Sequence, residues 1–117
     1  MNYKRYDNKI IIKVDQGENI LDKIKEVSEQ EKFVLATVGA MGAVSELIVG
    51  VYSIEQKNHY DGIYEIVSFT GSIDMTGNEY HPHLHVSCAG ADGGVVGGHV
   101  SKLVALTTCE VYLDIVQ

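Results

Sequence analysis

Only one stretch of this chain carries apolar residues at helical spacing. Ile20, Leu21, Ile24 and Val27 recur about every 3.6 residues. A helix from about residue 19 to residue 30 would therefore bury one face and leave Asp22, Lys23, Lys25, Glu26 and Glu29 in water. Asn19 stands where it can cap that helix, because its side-chain oxygen can accept a hydrogen bond from an otherwise orphaned backbone amide. Elsewhere the apolar residues come in short runs rich in Val, Ile and Tyr, separated by turn-forming residues. Such runs read as strands.

Strands are expected over residues 9–14, 33–38, 44–53, 64–70, 82–88 and 104–116, within a total of about seven. Residues 58–62 read as a turn, with Asp61-Gly62 as the hairpin signal, and residues 74–78 as another. Residues 89–98 are a glycine-rich connection. The expectation is an α+β fold: a mostly antiparallel central sheet of about seven strands with one main helix packed on it, in a single domain over residues 1–117.

Charge narrows the partners. Nine Lys and Arg against 16 Asp and Glu give a net charge of -7. That balance opposes nonspecific attraction to DNA, RNA or an anionic membrane. The one local concentration of basic residues is Lys4, Arg5, Lys9 and Lys13. No apolar run approaches the roughly 20 residues of a membrane-spanning helix, and the first residues lack the pattern of a secretory signal. Cys88 and Cys109 form no Cys-x-x-Cys pair and read as small buried apolar residues. A cytoplasmic protein with reduced thiols is the expectation.

The chemistry concentrates in residues 80–88. Side chains two apart on a strand project to the same face, so His83 and His85 would stand together, about 7 Å apart along the strand. Leu84, Val86 and Cys88 would face the core. His-x-His is a pair of neutral nitrogen ligands suited to Zn²⁺ or another divalent transition metal. His99 follows Gly97-Gly98, where a flexible bend could return it to the first two rings. Three protein ligands and one open position characterise a catalytic rather than a closed structural zinc, and would suit metal-assisted hydrolysis or lyase chemistry on a small molecule.

Other residues read more plainly. His81 shares the parity of His83 and His85, but Pro82 disturbs its geometry, and it reads as a surface residue. His59 falls in the expected turn and reads as solvated. Ser87 shares the histidine parity and could face the pocket. Glu65 and Glu110 read as surface or ion-paired strand residues, and Asp92 as a turn residue. Residues 93–98 are rich in glycine, but no Gly-Lys-Ser/Thr follows to make a phosphate loop.

These motifs together resemble a known family. The stretches 39–45, 64–73, 83–87 (His-Leu-His-Val-Ser), 92–100 (ending Gly97-Gly98-His99-Val100) and 108–111 occur in the order found in the plant-and-prokaryote conserved domain. The likeness is to its stand-alone prokaryotic type. The resemblance implies a central antiparallel sheet, a homotrimer, and metal ligation by His83, His85 and His99 near a subunit boundary. In land plants the domain follows AT-hook segments, which bind DNA. No Arg-Gly-Arg-Pro core occurs in this chain, and Gly62-Ile63-Tyr64-Glu65-Ile66 stands where the plant domain has Gly-Arg-Phe-Glu-Ile. The expected function is that of a metal-binding homotrimer acting on or sensing a small molecule. A DNA-binding regulator and a structural interaction module are the alternatives, with nucleic acid the less favoured partner.

Overall fold

The computed structural model describes residues 1–51 and 56–117. Its elements run β1 (Asn2–Tyr6), β2 (Lys9–Val14), α1 (Ile20–Gln30), β3 (Leu35–Met41), β4 (Ala43–Gly50), β5 (Lys57–Asp74), a short 3₁₀ turn (Thr76–Asn78), β6 (His81–Ala89), β7 (Val95–Ala105) and β8 (Cys109–Ile115). The α+β expectation holds, with eight strands among the described residues instead of about seven.

The helix forms where its apolar spacing places it. The Asn19 side chain accepts a hydrogen bond from the Leu21 amide at 3.2 Å and another from the Leu103 amide at 3.1 Å. One capping group thus starts α1 and ties it to β7. Ile20, Ile24, Val27 and Ser28 are buried, and the Ser28 hydroxyl is satisfied by donating to the Ile24 carbonyl at 2.7 Å.

The strands form one antiparallel sheet in the order β1-β2-β8-β3-β5-β4-β7-β6. β6 also pairs with β5, so β5, β4, β7 and β6 close on themselves. The 18-residue β5 makes this closure, meeting β4 along its first half and both β3 and β6 along its second. The core is the inner face of this curled sheet, with Ile10, Ile12, Leu47, Ile73, Leu103 and Leu113 almost wholly out of solvent.

Four local expectations are corrected. The expected turn at residues 58–62 is the first half of β5. Asp61 pairs with Glu46, and Gly62 takes φ 143° beside a register shift between Val44 and Glu46. Asp-Gly here marks a bulge, which bends a strand without ending it. The connection expected at 89–98 stops at Gly94, and Val95 begins β7. The long strand expected over 104–116 is instead the end of β7 and the whole of β8. β1 was not expected at all; it is an edge strand on β2. Residues 52 and 53 of the strand expected over 44–53 lie outside the described residues.

Two of the four basic residues near the start are ion-paired. Arg5 pairs with Glu31 at 3.4 Å, Lys9 pairs with Asp114 at 2.8 Å, and the Lys4 ammonium sits over the Tyr6 ring. No helix among the described residues is long and apolar enough to cross a membrane.

Candidate metal centre

β6 alternates as its sequence requires. Leu84, Val86 and Cys88 are buried, while His83 and His85 are exposed on the other face. Opposite them on β5 stand Ser72 and Thr70, residues small enough to leave the rings room. On the other side β7 runs antiparallel, and His99 is registered directly across from His85. The third histidine therefore arrives by strand pairing, not by the flexible bend expected from Gly97-Gly98. Those glycines allow the pairing by being small: a Cβ at Gly97 would collide with the Val86 carbonyl, and one at Gly98 with the Gly50 carbonyl.

The three rings converge. Their centroids lie 5.0 Å apart for His83–His85, 5.3 Å for His83–His99 and 4.2 Å for His85–His99. One nitrogen from each falls within 4.8 Å of the others, and the Nε2 atoms of His85 and His99 are 3.1 Å apart. Nitrogens each about 2.0–2.1 Å from a tetrahedral ion stand about 3.3 Å from one another, so the donor set fits a single divalent transition metal with small ring movements. The pKa of His85 is lowered by burial, and further by the nearby His99 and His83. This favours the neutral imidazole that a metal requires.

The neighbouring residues divide clearly. His81 lies on β6 but points its Nε2 toward Glu79 at 3.2 Å and is not one of the converging rings. The Ser87 hydroxyl is engaged with that of Ser68 at 2.8 Å. Glu110 accepts from the Tyr112 hydroxyl at 2.9 Å, and Asp92 accepts from the Gly94 amide at 2.8 Å, as a turn residue does. Cys88 and Cys109 are free and buried; burial pushes the Cys88 thiol up to about 11. Tyr80, half-buried next to the histidine strand, has its phenol pushed up to about 12, first by burial and then by Glu29 and Asp22.

A second cluster escaped the sequence reading. His59 is not a solvated turn residue; it lies on β5 with its Nε2 2.7 Å from Glu46 and 3.5 Å from Asp61. Lys102 holds the other Glu46 oxygen at 3.0 Å. The Glu46 carboxyl is held below its usual range, first by Lys102 and then by His59. Only the β4–β5 register, with Glu46 across from Asp61 and Ile48 across from His59, brings these groups together. No local motif announces it.

Comparison with known proteins gives one consistent picture. The model of the Plants and Prokaryotes Conserved domain matches residues 1–117. AT-hook motif nuclear-localized protein 8 of Arabidopsis thaliana is 34% identical over 112 residues, covering 86% of this chain but 28% of the plant protein. The chain thus spans less than a third of that relative's length. A metal-containing protein from Archaeoglobus fulgidus superposes with a TM-score of 0.82 at 27% identity, covering 98% of this chain and 84% of the other. A protein from Bacteroides thetaiotaomicron, provisionally described as DNA-binding, superposes with a TM-score of 0.92 at 19% identity, covering 99% and 84%. The last likeness speaks to fold alone.

Proposed function

This chain belongs to the Plants and Prokaryotes Conserved domain family, and we propose that it is a metal-binding member whose His83, His85 and His99 hold one divalent transition metal, zinc foremost. The observation that carries this reading is the convergence of three imidazole nitrogens within 4.8 Å of one another. The Archaeoglobus relative is described as metal-containing, which agrees with the reading. A bound ion with three protein ligands would act as a Lewis acid toward an oxygen-bearing small molecule. The chain's own part is to supply neutral nitrogens and hold them on two paired strands.

The reading includes a homotrimer. Besides the family resemblance, Met41, Val67 and Tyr112 are exposed large side chains on β3, β5 and β8, a face that a second copy of the chain would cover.

Metal analysis of the purified chain tests the site. About one equivalent of metal is expected in the wild type and little in His83→Ala or His85→Ala; unchanged metal content in both variants would sink the assignment. Light scattering before and after chelation separates the roles of the ion. A trimer that survives chelation leaves the metal free for ligand chemistry, whereas dissociation makes it an assembly element.

The second reading, a nucleic-acid binder, rests on the AT-hook plant relative, of whose length this chain covers 28%. Against it stand the net charge of -7 and the pairing of Arg5 and Lys9 with carboxylates. A mobility-shift assay with duplex DNA at low salt is expected to show no complex. A complex that weakens steeply with salt would favour this reading instead.

A further inference from the structure

A bound divalent ion would receive no negative charge from three neutral imidazoles. It would keep its full charge and favour an anionic oxygen in the position they leave. The surroundings of the histidines show where the rest of such a ligand fits. A recess of about 540 Å³ lies beside His83 and His99, between α1 and the histidine strands. Its size falls in the range of small-molecule sites. Leu21, Pro82, Leu84 and Val100 give it apolar walls.

Three polar side chains also line this recess: Asp22, Lys25 and Tyr80. The Lys25 ammonium has no ion-pair partner, and the Tyr80 hydroxyl no hydrogen-bond partner, among the described residues. Both are donors left over by the fold. Among the described residues, the shallower hollow on the other side, against Gly50, Val51, His85, Gly98 and His99, is lined by no charged or hydroxyl-bearing side chain apart from the two rings. One lysine in a recess that Asp22 also lines is too little positive charge for a nucleotide or polyphosphate.

We propose that this recess is the ligand pocket of the three-histidine site, and that it takes a small organic carboxylate with an apolar body. The carboxylate meets the ion, and the body lies against Leu21, Pro82, Leu84 and Val100. Tyr80 and Lys25 donate to the oxygens of the same ligand and set its orientation. This proposal rests on the metal reading above.

The test uses the full chain loaded with Co²⁺, whose visible absorption changes when a ligand enters its coordination shell, with calorimetry in parallel. The probes are acetate, isovalerate and benzoate. Affinity is expected to rise about fourfold for each methylene equivalent buried, so isovalerate and benzoate should bind more than about tenfold tighter than acetate. Tyr80→Phe and Lys25→Gln should each weaken isovalerate roughly tenfold with cobalt content unchanged. Leu21→Glu should erase the preference for the larger acids. Equal binding of all three acids, or wild-type isovalerate affinity in both Tyr80→Phe and Lys25→Gln, would overturn the pocket while leaving the metal site standing. A wild-type chain that takes up no cobalt would overturn both.

Discussion

His83, His85 and His99 gather three imidazoles on β6 and β7. Glu46, His59 and Asp61 gather one imidazole and two carboxylates on β4 and β5. In both clusters the ligand atoms fall within 4.8 Å of one another, so spacing alone does not separate them. Their partners do. Lys102 occupies one Glu46 oxygen and His59 faces the other, so an entering ion would have to break an existing ion-pair network and sit beside an ammonium. The three-histidine cluster contains no carboxylate of its own for a lysine to occupy. Proximity of donors counts for less where, as at Glu46, a cation already holds one of them.

The largest expected effect breaks the comparison directly. Losing an outer-shell partner of a metal ligand typically costs 10–100-fold in affinity, and losing a ligand costs more. His99→Ala is therefore expected to weaken zinc binding more than about hundredfold in a competition titration with a chromophoric chelator. His59→Ala should leave it unchanged. If His59→Ala were the damaging variant, the two clusters would have to exchange roles.

An intermediate effect comes from the backbone beneath each cluster. At Gly98, φ is 146° and an added Cβ would collide with the Gly50 carbonyl of β4. At Gly62, φ is 143° but the nearest atom is a Tyr64 ring carbon at 3.6 Å. Both positions strain an alanine, yet only Gly98 is also crowded by a fixed backbone atom. Gly98→Ala is expected to lose about 1–3 kcal/mol in urea unfolding and to lose zinc affinity with it, because His99 is the next residue on the displaced strand. Gly62→Ala should lose less stability and no zinc affinity. Equal losses at both glycines would mean that strain, not crowding, governs this sheet.

What the sequence discloses about these regions depends on the range of the forces involved. The α1 spacing, the Asn19 cap and the alternation of His83 and His85 against Leu84, Val86 and Cys88 are local patterns, and each is realised. The route of His99 is not local. Gly97-Gly98 reads equally as a bend or as a place where backbones pack closely, and only pairing with β6 decides for the second. The same holds for Asp61-Gly62, a hairpin signal that the β4 register turns into a bulge, and for His59, whose carboxylate partners lie across that register. β1 escaped notice because an exposed edge strand of mostly polar residues has no buried face to impose alternation.

The smallest expected effect is a difference in how the metal-free protein responds to acid. Burial and the neighbouring imidazoles of His99 and His83 lower the pKa of His85 below 6.5 in the folded chain. Between that lowered value and 6.5 the unfolded chain binds more protons, so stability falls as pH drops through this window. Lys102 and His59 lower the pKa of Glu46 below 4.5. Stability from that network is fully present above 4.5 and is lost only as pH falls from there through the folded value. Urea midpoints of the metal-free chain measured from neutral pH to about pH 3 should therefore decline in two stages, the histidine stage first. His85→Gln should flatten the first stage and spare the second, and Glu46→Gln should do the reverse. A first stage that persists in His85→Gln would place the titrating group elsewhere. With zinc present the first stage should steepen in the wild type, because protons then compete with the ion for the same nitrogens. No steepening would mean that the ion does not engage the ring whose titration sets that stage.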